Sequence, residues 1–425
     1  MSGVCGAIVL AGGVCAEVTY TKDVAPIFQE KCVQCHRPGD IGPMALEDYT
    51  QARAWAKSIQ KAVTEKIMPP WGAEEGPHAF ANNPSLTQEE IDTIVAWVEQ
   101  GAPRGAQADM PPPRVFEDEQ FHAGTPDLVL DTGSDYVLGA DVDDEYRCFC
   151  MDTNFEEDVW VNGIEYLPGN RKVVHHIMAY ADPSRKSLEK DAADPDPGFL
   201  CGMSGDQGSL RLDMLLGGCA PGVAPNMFSE GVGKLIPKGS VIVYQVHYHN
   251  ESGEDQVDRS KMGLFFARDE IKQKAQILPV GQFYLNIPAG DPNYESKGTY
   301  IAQKDIILGS LMPHMHYIGK DMTVDITYPD GRSERVLDVP RYDFNWQIVY
   351  AFEEPLQLPK GTRIDMVAHH DNSADNPANR SNPPIEVKWG EATHEEMSHV
   401  WLGYTYADED LGILPVPPVI EGTSD

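Results

Sequence analysis

Basic residues are scarce in this chain. Lysine and arginine number 33 against 66 aspartates and glutamates, a formal net charge of −33 over 425 residues. A sequence-independent grip on nucleic acid needs a basic footprint, which excludes that class of partner. An anionic membrane surface would repel the chain equally. Long apolar runs are also lacking: nothing approaches the roughly 18 uninterrupted apolar residues of a membrane-spanning helix, so no transmembrane segment is expected. What is present is ordinary for a folded protein. Hydrophobic residues make up 41% and charged residues 23%, which excludes wholesale disorder. The length predicts two or three domains, each able to bury its own core.

Eight cysteines are present: Cys5, Cys15, Cys32, Cys35, Cys148, Cys150, Cys201 and Cys219. Residues 4–15 are small and apolar, and Val14-Cys15-Ala16 before Glu17 has the form of a cleavage site, although a basic leader region is missing. Residues 1–16 read as a signal peptide, the alternative being a buried first strand. Removal would take Cys5 and Cys15 away and place the rest in the periplasm or outside the cell. There Cys148, Cys150, Cys201 and Cys219 can form disulfides, and four cysteines allow three pairings.

The remainder divides by texture. Residues 17–105 read as helical: an amphipathic stretch begins at Asp23–Lys31, and Leu46–Glu65 continues with helical spacing. Thr87 followed by Glu90 forms a capping-box signal ahead of Ile91, Ile94, Val95 and Val98, and Gly101-Ala102-Pro103 stops that helix. Residues 106–125 form a Pro-rich, acidic linker without periodicity. From residue 126 short β-branched and aromatic runs alternate with turn signals, among them Tyr328-Pro329-Asp330-Gly331 as a hairpin turn. This predicts two antiparallel β-sandwiches, residues 126–279 and 280–416, dividing in the charged stretch Glu270–Pro279, with a tail over 417–425.

Cys32-Val33-Gln34-Cys35-His36 is a CxxCH motif. Two thiols at this spacing reach the two vinyl groups of one heme, and the adjacent histidine supplies the proximal iron ligand. A redox CxxC would want a βαβ setting, and a zinc site a second Cys/His pair; neither is present. The helical region resembles a small class I c-type cytochrome. Its distal methionine is expected in a proline-flanked loop well downstream of the motif, which favours Met68 in Ile67-Met68-Pro69-Pro70-Trp71 over Met44. A six-coordinate His/Met iron suits electron transfer and argues against a heme peroxidase.

The histidines of the β region are clustered: His175-His176, His247 with His249, His314 with His316, His369-His370, then His394 and His399. HxH in a strand puts both rings on one face. HH puts them on opposite faces unless the backbone turns or bulges. A single such histidine is usually a core or surface residue, but chance is a poor account of so many on strands. Imidazole suits Zn, Cu, Fe and Ni, and a thioether adds preference for Cu(I). Beside a one-electron heme, redox-active copper is favoured over zinc.

Four segments resemble, in order, the core of the copper type II, ascorbate-dependent monooxygenases, the family of peptidylglycine α-hydroxylating monooxygenase and dopamine β-monooxygenase. They are Val173-Val174-His175-His176-Ile177-Met178, Tyr244-Gln245-Val246-His247-Tyr248, His314-Met315-His316 with Gly319-Lys320, and Glu395-Glu396-Met397. The resemblance covers residues 126–410. It implies two jelly-roll-like sandwiches with one copper each. His175, His176 and His247 would hold an electron-storage copper; His314, His316 and Met397 would hold the copper that meets O2. Gln245 would help to orient an imidazole. His249 makes a second HxH with His247 and could compete as a ligand, but reads as a surface or supporting residue. His369 and His370 have no role in that pattern, His394 and His399 flank Met397 near the second set, and the substrate-recognition residues do not carry over.

The resulting expectation is a small all-α cytochrome c-like domain followed by two all-β domains, with one covalent heme c and two coppers. The activity expected is hydroxylation of a C–H bond of a small organic substrate by O2. Electrons would come from ascorbate or a redox protein and pass through the fused heme. The alternative is a non-catalytic copper-binding or electron-transfer protein. None of the 66 acidic residues is needed as a direct metal ligand. The acidity reads as a solvated surface able to steer a cationic partner.

Overall fold

The structure is a computed structural model. It describes residues 17–38, 40, 42–115, 121–142, 144–202, 211–220, 225–250 and 252–418. The expected signal peptide, with Cys5 and Cys15, lies outside these residues. The chain forms two compact units, a helical one comprising residues up to Pro70 with Pro84–Val115, and a β unit comprising Trp71–Asn83 with the chain from Phe116 onward.

In the helical unit, α1 (Ala25–Lys31) follows one π-helical turn over Tyr20–Val24. Helix α2 (Tyr49–Thr64) starts at a capping box of Asp48 and Gln51 and buries Ala52, Ala56, Ile59 and Val63, one stripe at helical spacing. Helix α3 (Gln88–Glu99) starts at the expected box of Thr87 and Glu90. Such a cap stabilises a helix by about 1 kcal/mol. The buried stripe of α3 is Ile91, Ile94 and Trp97, while Val95 and Val98 are only half-buried. Trp97 takes the expected place of the valines because its ring meets Tyr20 and Phe28 at centroid distances of 5.9 and 6.3 Å. Tyr20 and Thr21 also donate backbone bonds to Pro103 and Arg104, each 3.0 Å. The first and last helices are thereby fastened together, with CxxCH at the end of α1. At Gly101 and Ala102 the backbone turns left-handed (φ 87° and 56°) and the helix ends.

The helical unit is not one continuous segment. Residues Trp71–Asn83, read as part of the helical region, pack instead on the β unit. There Phe80 bridges to Phe352, Ala81 donates to Ala351 O and Glu353 donates to Ala79 O. The Trp71 ring stands 4.7 Å from Tyr350. This segment covers an otherwise unpaired edge of the strand Tyr350–Leu358.

The β unit consists almost wholly of antiparallel sheets and contains two large cores. One core lies between a five-stranded sheet and a six-stranded sheet. The five-stranded sheet runs Phe199–Leu200, Asp144–Asp152, Val241–His249, Val174–Asp182, Leu215–Cys219. The other core lies between two four-stranded sheets. The first of these runs Gln276–Gly281, Ser398–Tyr406, Ile306–Met315, Tyr350–Leu358. The chain crosses from one half to the other at Ala275: Gln273–Lys274 pairs with Val232–Gly233, and Gln276–Gly281 with His399–Tyr404. The expected turn joins Gly319–Thr327 to Ser333–Val339, with Gly331 at φ 89°.

Strand alternation decides which side chains leave the cores. Tyr244, Val246 and Tyr248 enter the first core, so Gln245 and His247 point the other way. Leu311 and Met315 enter the second core, so His314 and His316 point away from it. These two outward faces meet in a third apolar cluster, where Trp401 and Ile277 pack against Cys148, Tyr180, Phe199, Leu215 and Val243. The two histidine rows therefore stand on facing sheets.

Candidate metal centres

In the helical unit, Cys32, Cys35 and His36 follow directly on α1. Cys32 donates its backbone N–H to Phe28 O (2.9 Å) and His36 to Cys32 O (3.0 Å). The buried His36 ring has Nδ1 at 3.1 Å from Met44 O. Nδ1–H donates to that carbonyl, which leaves Nε2 with the lone pair that a heme iron requires. Met44 is thus tied through its backbone to the proximal histidine. Met68 lies just past α2, where its N–H reaches Ala62 O at 3.3 Å.

In the β unit, His175, His176 and His247 converge. Their Nδ1 atoms stand 3.3 Å (His175 to His176), 3.3 Å (His175 to His247) and 3.2 Å (His176 to His247) apart. A β-bulge makes this possible. His247 pairs with His176 and Tyr248 with Val174, so His175 is the extra residue between them and turns to the same side as His176. Three imidazole donors about 2.0 Å from one ion in tetrahedral directions stand about 3.3 Å apart. The spacing therefore fits a metal. Burial, then neighbouring histidines, pushes His175 down to about 3 and His176 well below its ordinary value, so both rings are neutral donors at pH 7.

His247 is held on its far side. Its Nε2–H donates to Asp144 Oδ1, and the Tyr146 ring stacks on it at 4.1 Å with planes 5° apart. Burial raises the pKa of Asp144, but bonds from His247 and Thr393 outweigh this and bring it to about 2. A carboxylate behind a metal-binding imidazole fixes its tautomer and raises its basicity. Gln245 does not take this part for His247. Its amide lies 3.8 Å from Cys201 Sγ, and its Oε1 is buried without a hydrogen-bond partner. Cys148–Cys201 is the one disulfide among the described residues.

Opposite stand His314 and His316, with ring centroids 5.2 Å apart. His314 Nδ1 meets Gln347 Oε1 at 2.8 Å, and His316 Nδ1 meets Glu395 O at 3.2 Å. Both acceptors select the Nδ1–H tautomer and leave Nε2 as the donor for a metal. Burial pushes His314 down to about 4 and His316 well below its ordinary value. Met397 is buried one residue before the strand Ser398–Tyr406. Glu396 clamps the set: its carboxyl oxygens accept from the N–H groups of His316, Met397 (3.0 Å) and Ile318 (3.3 Å). Burial raises Glu396 to about 8 against the pull of those three bonds. Imidazole and thioether are donor types that suit copper, most of all Cu(I).

Two neighbours, Phe344 and Gln347, carry no signal in the sequence, and a third, His399, is marked there only as flanking Met397 near the second set. Phe344 stacks on His175 (4.6 Å) and meets His316 edge-on (5.9 Å), so one ring stands between the two sets. Gln347 comes from the same loop, which carries no periodic or motif signal. His399 is the cross-strand partner of His314, with centroids 4.8 Å apart, and both its ring nitrogens are buried without a partner. His249 closes its strand outside the converging triad. His369 bonds Asp321 at 2.6 Å, His370 lies behind Met397 with Nε2 3.4 Å from its carbonyl, and His394 is exposed.

Residues 21–98 match the family described as cytochrome C oxidase, cbb3-type, subunit III. The helical unit is accordingly a cytochrome c domain, with heme c at the CxxCH motif. No curated protein matches the chain. Among solved structures, a putative secreted protein from Eubacterium rectale is 8% identical, over 64% of this chain and 71% of that one, with a TM-score of 0.19. A two-domain protein of unknown function from Bacteroides fragilis is 8% identical, over 61% and 84%, at 0.17. The infectious bursal disease virus VP2 subviral particle is 10% identical, over 67% and 73%, at 0.18. At these scores the likenesses carry no argument about fold or function. No helix among the described residues is long and apolar enough to cross a membrane.

Proposed function

We propose that this protein is a periplasmic or secreted copper-dependent monooxygenase built on two jelly-roll-like sandwiches, which draws its electrons through its own c-type heme. The overall change is R–H + O2 + 2 e⁻ + 2 H⁺ → R–OH + H2O, with a small organic molecule as R–H and ascorbate or a redox protein as the outside donor. The observation that carries the proposal is the convergence of the His175, His176 and His247 Nδ1 atoms, 3.2–3.3 Å apart, on a face that looks toward His314, His316 and Met397. Copper bound at these sets would supply the one-electron chemistry that lets O2 oxidise a C–H bond. The chain's own residues do the rest. Asp144 fixes the tautomer of His247, Gln347 and the Glu395 carbonyl fix those of His314 and His316, and the Phe344 ring lies against both His175 and His316.

A second reading has one observation in its favour. Among the described residues, only His175, His176 and His247 form a group of three His, Cys, Asp or Glu donors within 4.8 Å of one another. A single copper there would make the chain a copper-binding electron-transfer protein. Metal and heme analysis with oxygen consumption separates the two. The monooxygenase binds two coppers per heme, consumes O2 with a reductant and substrate, and places an atom of labelled O2 in the product. Met397→Ala then abolishes product and leaves the heme spectrum intact. One copper and no substrate-dependent oxygen uptake would reject the proposal in favour of electron transfer.

A further inference from the structure

Asp144 and Tyr146 are two apart on one strand and so share a face. Each touches His247, and each also touches the segment that leads into Met397. Asp144 Oδ1 accepts from His247, while Oδ2 accepts from the backbone N–H of Thr393 (3.1 Å) and from its Oγ1 (3.0 Å). Tyr146 stacks on His247 and donates its hydroxyl to Glu391 O (2.9 Å). Two residues beyond Thr393, Glu395 O receives the His316 Nδ1–H, and Glu396 then holds the backbone N–H groups of His316 and Met397. A continuous set of bonds therefore runs from the back of His247 to the two ligands at the end of the opposite set.

We propose that Asp144 is a positioning residue common to both centres, which couples metal binding at the three-histidine set to the placement of His316 and Met397. The proposal rests on the reading that both sets bind copper. A cation on His247 Nδ1 makes its Nε2–H a stronger donor and fixes Oδ1 of Asp144. The carboxylate is planar, so fixing Oδ1 fixes where Oδ2 meets Thr393. The segment 391–396 is then ordered, and Met397 and the His316 ring are presented together. Coupling of this kind is reciprocal, so copper at the second centre also tightens binding at the first. Tyr146 is a parallel link of the same sense.

The test uses the full chain with heme in place and copper(I) as the probe, with affinity read by chelator competition and sulfur coordination by X-ray absorption. Asp144→Asn is expected to weaken the three-histidine centre by about 10- to 100-fold, as loss of a carboxylate behind a metal-bound imidazole does, and to remove or lengthen the sulfur contact at the other centre. Thr393→Val, which keeps the backbone bond and touches no histidine, is expected to weaken the three-histidine centre about fivefold, the lower end of ordinary coupling. Tyr146→Phe shifts it in the same direction. If Asp144→Asn fails to fold, the other two variants carry the test. An unchanged sulfur contact in Asp144→Asn, or unchanged copper affinity in both Thr393→Val and Tyr146→Phe, overturns the coupling. A wild-type protein with one copper, or with no sulfur contact, overturns the two-centre reading instead, and the coupling with it.

Discussion

At the scale of single residues, Met44 and Met68 are unequal candidates for the heme's sixth ligand. The Met44 carbonyl is committed to His36 Nδ1–H, which ties that residue to the proximal histidine. Met68→Ala is therefore expected to keep covalent heme, lose the sulfur-to-iron absorption and lower the reduction potential, because a methionine ligand raises it. Met44→Ala is expected to keep both signatures, and the reverse pattern would exchange the two roles. His399 gives a second prediction. Its two unpartnered nitrogens are buried among His314, Phe283 and Trp401. An unmet buried polar group costs about 1–3 kcal/mol. His399→Leu should thus stabilise copper-free protein by on the order of 1 kcal/mol after repacking losses, which raises its unfolding midpoint. A lowered midpoint in calorimetry would show that the imidazole is satisfied.

At the scale of elements, the bulge at His175 is the feature that makes HH a two-ligand motif. Either side of it the ladder is regular, with His176 opposite His247 and Val174 opposite Tyr248. Deleting His175 should restore an unbroken ladder, leaving a folded protein with an unfolding midpoint near that of His175→Ala and no copper in the three-histidine set. A deletion variant that cannot fold, beside a His175→Ala that can, would show that the sheet itself needs the bulge. The elements themselves were largely legible in the sequence. The Thr87–Glu90 cap, the turn before Gly331 and the HxH pair each follow a local rule of spacing. What was not legible is set by pairing across long separations. Asp144 meets Thr393 from 249 positions away, and nothing local to either residue marks it. Phe344 and Gln347 sit in an aperiodic loop that acquires a role only when two sheets face each other. Trp71–Asn83 reads as a connection between helices, yet its hydrogen bonds go to a strand some 270 residues on.

At the scale of the whole molecule, the charge of −33 divides into two uses. A few acidic groups are structural: the Asp144 carboxylate behind His247, and the Glu396 carboxyl beneath His316 and Met397, which burial raises to about 8 and so leaves largely uncharged at pH 7. The rest far outnumber the 33 basic residues and set the field that an electron donor meets at a distance. That field has a sign, so the two classes of donor respond to salt in opposite ways. A cationic redox protein is drawn in, and added salt, with a screening length of about 8–10 Å near physiological strength, weakens the attraction. Ascorbate is an anion at neutral pH and is repelled, so screening speeds its encounter. Stopped-flow reduction of the heme at rising ionic strength should therefore slow with a cationic donor and quicken with ascorbate. A donor whose rate falls steeply with salt is one the surface is built to receive. If both rates were flat, the acidity would act on solubility alone, and donor choice would rest on contacts at close range.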